Sequence, residues 1–216
     1  YSDGPTKMSY NALYLQQTKQ LDAHWVLNDG IRFNLVQLDA RFADTTLMHF
    51  PFNKAIQNNT AITGNLGVAY NGENGYRATA GLSSGFRSPN VDDLTKVFDT
   101  KTGYVVVPNK DLKPEYTYNA EINISHTGNI ASWGASVFYT WFNNAIVVSK
   151  YNWNGQDNIM YQNVLSAVYA PQNQASAKLY GFNLNGKLKL FNNTQLHGIY
   201  TYTKGTYNNG ITSMPL

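Results

Sequence analysis

The stretch Glu115-Tyr-Thr-Tyr-Asn-Ala-Glu-Ile-Asn-Ile-Ser125 decides the fold class. Tyr116, Tyr118, Ala120, Ile122 and Ile124 hold the even positions, and Glu115, Thr117, Asn119, Glu121, Asn123 and Ser125 hold the odd ones. A strand sends alternate side chains to opposite faces, so the two sets separate cleanly; a helix of about 3.6 residues per turn would mix them. The stretch is therefore an extended strand with one apolar and one polar face. A soluble sandwich buries the apolar face, whereas the wall of a membrane barrel turns it to lipid and lines the lumen with the polar one. Alternation alone leaves both open.

Working outward, the same pattern recurs. Ile62, Gly64, Leu66, Val68 and Tyr70 alternate with Thr63, Asn65, Gly67 and Ala69. Past a turn at Asn71-Gly-Glu-Asn-Gly75, Tyr76, Ala78, Ala80 and Leu82 alternate with Arg77, Thr79, Gly81 and Ser83, which reads as a hairpin. Further strands fit residues 8–20, 25–41, 132–149, 177–190 and 194–204, giving about eight in all. The links at 21–24, 71–75, 127–131 and 191–193 are tight and rich in Gly, Asn and Asp. Those at 42–60, 87–114, 150–176 and beyond 205 are long. Short and long links alternate, the arrangement of an outer-membrane barrel with short periplasmic turns and long external loops. Tyr70, Tyr76 and Trp133 fall beside short turns, while Phe86, Tyr116, Tyr118, Trp141, Tyr180, Phe182, Tyr200 and Tyr202 fall toward long loops, as two interfacial girdles require.

Composition agrees. Charged residues are 13% of the 216, aromatics 14% with 16 Tyr and 4 Trp, and the net charge is +3 without clustering. A basic stripe for nucleic acid is absent, so no nucleic-acid partner is expected. No run approaches the roughly 18 apolar residues of a membrane helix, and any membrane crossing must therefore use strands. The absence of Cys excludes disulfides and Cys-ligated metal centres. No nucleophile elbow, phosphate loop or metal motif is present, so no enzyme, cofactor or metal site is expected.

Gly85-Phe-Arg-Ser-Pro-Asn-Val-Asp-Asp-Leu94, followed by Val107-Pro-Asn-Lys-Asp-Leu-Lys-Pro-Glu115, resembles the paired boxes of TonB-dependent outer-membrane receptors. In that family a strand ends in a Phe-Arg-Ala-Pro-Asn-like box and the next opens with an Asn-Pro-Asp-Leu-Lys-Pro-Glu-like box. Here Ser88 replaces the usual Ala, and Lys110 stands where Pro is common. Phe138-Tyr-Thr-Trp-Phe-Asn-Asn-Ala-Ile146 and Tyr180-Gly-Phe182 echo the family more weakly.

The resemblance implies that residues 1–216 are part of the antiparallel wall of a barrel of about 22 strands, with the plug and terminal strands lying elsewhere. It further implies uptake of a scarce nutrient such as an iron-siderophore, haem or another metal chelate, energised by the TonB complex acting through the plug. The partners it implies are outer-membrane lipid, the rest of the receptor and the cargo. The alternatives are a small passive or structural barrel of eight strands, complete in itself, and a soluble sandwich.

Phe86, Arg87, Pro89 and Asn90 close a strand, where Pro ends the ladder and Arg87 can pair with Asp92, Asp93 or Glu115. Asn109, Asp111, Leu112, Pro114 and Glu115 read as a matching turn that caps the next strand through side-chain to backbone hydrogen bonds. Both boxes are read as mostly structural. The long loops offer Tyr104, Tyr151, Trp153 and Tyr161 as rings that could stack on cargo. His24 and His126 fall at short turns and His197 low on a strand, which leaves His49 as the one histidine on the outer side.

Overall fold

The computed structural model describes residues 4–41, 52–95, 97–191, 193–207 and 212–213. Eight long strands form the wall: β1 (Thr6–Gln20), β2 (Trp25–Arg41), β3 (Lys54–Asn71), β4 (Tyr76–Arg87), β7 (Glu115–Thr127), β8 (Ala131–Lys150), β10 (Val164–Phe191) and β11 (Thr194–Tyr207). They pair antiparallel in that order. Four short strands decorate the long-loop end: β5 (Phe98–Lys101), β6 (Tyr104–Val106), β9 (Asn158–Tyr161) and β12 (Thr212–Ser213), with one short helix, α1 (Val91–Thr95). Among the described residues β1 and β12 end the sheet without meeting, so the wall is an open arc.

Two boundaries differ from the sequence reading. β3 begins at Lys54 rather than near residue 62, and β10 begins at Val164 rather than near 177. The third long link therefore shrinks to 151–163 and itself contains β9. In both cases the extra length lies on the loop side of the aromatic girdle, where neither face meets lipid and apolar alternation fades. The alternation of short and long links persists.

Cross-strand register shows that the two faces run through the whole wall. Leu27, Val68, Ala80, Ile122, Val137, Phe182 and Tyr202 are successive partners across seven strands and form one apolar row. The neighbouring row on the opposite face reads Val26, Ala69, Thr79, Asn123, Ser136, Asn183 and Thr201. Polar side chains of the second face bond across strands: Thr18 Oγ1 to Asn28 Oδ1 at 2.8 Å, Asn123 Nδ2 to Thr79 Oγ1 at 3.1 Å, Thr140 Oγ1 to Asn119 Oδ1 at 2.8 Å and Asn183 Nδ2 to Ser136 Oγ at 3.1 Å. These pairs give the polar face local order between the girdles.

Aromatic rings mark both edges of the apolar face. Beside the short turns, Trp25 packs on Tyr70 with centroids 4.9 Å apart, and Tyr76 contacts His126 at 4.5 Å and Trp133 at 6.5 Å. Toward the long loops, Tyr139 meets Trp141 at 4.4 Å and Tyr180 at 5.9 Å, and Phe86 meets Tyr116 at 5.5 Å. Between them Ile62, Leu66, Leu82, Ile122 and Val137 are exposed, as residues solvated by hydrocarbon must be.

The short turns are built tightly. Asp22 Oδ1 accepts the N–H groups of His24 and Trp25, both at 2.8 Å, and these two bonds hold its carboxyl below the usual range. His24 Nδ1 lies 2.8 Å from the carbonyl oxygen of Asn71, tying two neighbouring turns together. At the β3–β4 turn Asn74 and Gly75 have φ of 56° and 79°. A Cβ on Gly75 would strike the Thr127 backbone, so this turn requires glycine.

The two faces should respond oppositely to charge. In the full-length protein, Ile122→Arg should lower folding stability in lipid by about 2–4 kcal/mol, whereas Asn123→Arg one residue away should change it by under about 1 kcal/mol. Equilibrium unfolding from vesicles measures both, and equal losses would reverse the facing assigned here.

Candidate functional site

Above the pair Asn65–Ser83 the wall forks. The β3–β4 ladder stops there, while β3 stays paired to β2 up to Lys54 and β4 stays paired to β7 up to Arg87–Glu115. A fork leaves backbone polar groups facing a gap, and each needs a partner. Ser84 Oγ supplies the first: it accepts the Gly64 N–H at 2.8 Å and donates to the Gly64 carbonyl at 3.3 Å. Tyr116 donates its hydroxyl to the Thr60 carbonyl at 3.3 Å, across the same gap.

The two sequence boxes fill the rest of the fork. Asn59 Nδ2 donates to Ser88 Oγ at 2.9 Å, and Gln57 Nε2 donates to the carbonyls of Leu112 at 2.8 Å and Lys110 at 3.3 Å. Leu94 of α1 and Leu112 bury their side chains against Leu38, Ala40 and Ala55 of the polar face's upper end, with Met8, Val91 and Ile146 around them. Pro89 and Pro108 are also fully buried. This small apolar core sits inside the arc, at its long-loop end.

Charge orders the layer. Asn90 Oδ1 accepts the Asp93 N–H at 2.8 Å, and Asp93 Oδ2 accepts the Asn90 N–H at 3.1 Å, a reciprocal cap that starts α1. The same Asp93 oxygen takes Arg87 Nη2 at 2.8 Å, and Arg87 Nη1 reaches Glu115 Oε1 at 3.5 Å. The second Glu115 oxygen accepts the Ile146 N–H of β8 at 2.8 Å. Of the three acids open to Arg87 in the sequence, Asp93 and Glu115 are its partners, and Asp92 is exposed. In the second box Asn109 Oδ1 accepts the Asp111 N–H at 3.0 Å, and Asn109 Nδ2 donates to the Pro171 carbonyl at 2.9 Å. Phe86 lies on the opposite face against Tyr116, and Pro114, half-buried, leads directly into β7.

Asn173 is the residue that sequence reasoning missed. Its amide donates to the carbonyls of Lys113 at 2.8 Å and Asn144 at 2.7 Å, and its oxygen accepts the Lys113 N–H at 2.7 Å, fastening the second box to β8 and β10. Gln57, Asn59 and Ser84 were missed likewise. All four are polar residues of ordinary type whose task depends on register, and nothing in their local sequence signals it.

The loop aromatics pack above this layer. β6 adds in parallel to the upper end of β10, and Tyr104 stacks on Tyr169 with centroids 4.1 Å apart. Burial, followed by the nearby Tyr169, raises the Tyr104 phenol above its usual range, so it is neutral at physiological pH. Lys101 Nζ lies 5.6 Å from the Tyr104 ring centre. Trp153 is 7% exposed in a second core with Val105, Val107, Val168 and Ala170, flanked by half-buried Tyr151 and Tyr161. Trp153 thus presents no open ring face, while Tyr104, Tyr151 and Tyr161 keep part of theirs. His49 lies outside the described residues. Among the described residues no group of three His, Asp or Glu side chains could hold a metal ion.

Removing Glu115 should cost more than removing Arg87. Glu115→Ala strands the half-buried Ile146 N–H and leaves Arg87 with Asp93 alone, for about 2–3 kcal/mol, whereas Arg87 is nearly half exposed and Arg87→Ala should cost about 1 kcal/mol. Thermal unfolding of the full-length barrel in detergent compares the two; an Arg87→Ala loss equal to or above that of Glu115→Ala would remove the carboxylate from its central place.

A family model and solved structures match this chain over nearly its whole length, and a curated relative over about two thirds of it. The family model described as TonB dependent receptor-like, beta-barrel matches residues 1–215. The hemoglobin and hemoglobin-haptoglobin-binding protein A of Haemophilus influenzae is 30% identical over 151 residues, 64% of this chain and 13% of that protein. Among solved structures, the copper transporter OprC superposes with a TM-score of 0.75 at 16% identity, covering 97% of this chain and 30% of its own. The hemophore receptor HasR of Serratia marcescens, solved with its hemophore HasA and heme, gives 0.64 at 14% identity, covering 94% of this chain and 34% of its own.

Proposed function

The chain belongs to the TonB dependent receptor-like β-barrel family, and from this we propose that it forms a sector of the wall of a receptor that actively imports a metal-bearing nutrient. It is a bacterial outer-membrane protein of a receptor family, not an enzyme family. The chain spans about an eighth of the curated relative's length, so cargo, energy source and plug are proposals for the whole receptor. The observation that carries the reading is the box layer. The wall forks toward its loop end and closes the fork with a folded layer on the lumen side, beneath the loops.

Three features support active import over a passive eight-stranded barrel. The eight long strands remain an open arc among the described residues, as a sector of a larger wall would. Below the box layer the lumen face carries Asn, Thr and Ser paired with one another, which suits a wall that a separate plug occupies. The external loops are folded around their own core, giving cargo a shaped surface before it reaches the lumen.

Cargo is inferred by class. The relative is named for binding haemoglobin, OprC for transporting copper and HasR for receiving a hemophore with heme, so a metal complex is common to all three. On this chain the half-exposed Tyr104–Tyr169 stack, with Lys101 above it, offers the flat, partly apolar surface that a planar or chelated metal compound fits. Tyr151 and Tyr161 flank it on the same loop unit.

The test uses the full-length receptor in a strain lacking its own uptake systems. Growth on haem, a ferric siderophore or a copper chelate as sole metal source should depend on the receptor and stop when TonB is deleted, and Tyr104→Ala should weaken cargo binding about tenfold at unchanged receptor level. Growth that persists without TonB, or that no metal complex supports, would contradict the proposal.

A further inference from the structure

One charge lies where the wall should carry none. Along β2, Trp25 marks the inner edge of the apolar face and Phe33 its outer part; Asp29 is midway, four residues from each. With the strand tilt of membrane barrels, that is about 10 Å of hydrocarbon in either direction. The corresponding midpoints on other strands are Leu66, between Ile62 and Tyr70, Ile122, between Tyr118 and His126, and Val137, between Trp133 and Trp141. Asp29 shares the lipid-side face with Leu66, its partner on β3, and with Gln17, its partner on β1. Other charges on this face keep to its margins: Lys19 near the short turn, Lys178 and Lys204 beside the outer aromatics, and Asp39 paired with Arg41 beyond them. Among the described residues neither the Asp29 carboxylate nor the Gln17 side-chain amide has a hydrogen-bond or ion-pair partner, their backbones being paired in the ladders.

A bare carboxylate is poorly tolerated at mid-depth, and polar side chains at that depth commonly join one membrane-spanning element to another. The Asp29–Gln17 pair is self-complementary, because an amide N–H can donate to a carboxylate. Both lie on one cross-strand rung, at nearly the same depth. A two-fold axis along the membrane normal between them sets each Asp29 against the Gln17 of the other copy, and each Lys19, one rung nearer the short turn, within reach of the same carboxylate. Leu13, Leu15, Ile31 and Phe33, all exposed, surround the pair with an apolar contact surface.

We infer that the outer face of β1 and β2 is the contact between two copies of this receptor, joined at mid-membrane by Asp29 and Gln17. The inference rests on the barrel-wall reading but not on the cargo. Its test places Leu15→Cys, which leaves Asp29 and Gln17 in place, in the full-length receptor in a background free of other cysteines, and treats intact outer membranes with a short thiol-to-thiol cross-linker. Covalent dimer should exceed that from Leu188→Cys, on the lipid side of β10, and adding Asp29→Leu should lower it about three- to tenfold with barrel level and metal uptake unchanged. Dimer no higher than the Leu188→Cys control, or undiminished by Asp29→Leu, would overturn the inference and leave Asp29 facing lipid or a different protein. A failure of the uptake reading would show separately, as absent import in the unaltered receptor.

Discussion

The constraint on which the rest depends is that hydrocarbon offers no partner to a backbone N–H or C=O. Through most of the apolar band the chain meets it with antiparallel ladders, Ser84 taking over where the β3–β4 ladder parts above Asn65–Ser83, and the long strands run past the band on the loop side. Once the ladders are fixed, strand geometry assigns every side chain to lipid or lumen without further choice. The apolar row from Leu27 to Tyr202 and the polar row from Val26 to Thr201 are two readings of one register. A slip of one residue at any strand would exchange them.

The same constraint explains the box layer. Where β3 and β4 part, the ladder is replaced piece by piece: Ser84 for Gly64, Tyr116 for Thr60, Gln57 for the second box, Asn173 for the seam with β8 and β10. Arg87 stands at the centre because one guanidinium can satisfy Asp93 of the first box and Glu115 of the second at once. Its worth is geometric more than energetic, since it is partly exposed and a solvated ion pair contributes little. Glu115 adds the buried share by receiving the Ile146 N–H, so β4, α1, β7 and β8 converge on a single carboxylate. The loops can then vary in sequence above a base whose shape is held by a few polar side chains.

How much was legible in the sequence follows from the same physics. Between the girdles lipid imposes alternation, and there β2 and the cores of β4, β7 and β8 read close to their true bounds. Outside the girdles the signal vanishes. Gln57 to Thr60 is polar on both faces and reads as loop, and Pro171 within β10 reads as a breaker although it pairs with Val148 and lends its carbonyl to Asn109. The boxes were legible as a pair, because Pro89, Asn90, Asn109 and Pro114 are turn residues at fixed spacing, but the fork they fill was not, since it arises only when β3 and β4 are placed side by side. Trp153 reads in the sequence as a loop ring that could stack on cargo, and in the fold its ring lies in the loop core. Asp29 broke the pattern in plain view, and its meaning depends on knowing that it sits at mid-depth.

The central claim is that residues 115–125 carry lipid on one side and lumen on the other, and accessibility at each position tests it most directly. Spin labels placed singly along this segment of the full-length receptor in lipid should show oxygen accessibility peaking at Tyr116, Tyr118, Ala120, Ile122 and Ile124, and accessibility to a water-soluble nickel chelate peaking at the odd positions between them. A period-two pattern of the opposite phase, or no period at all, would contradict the account.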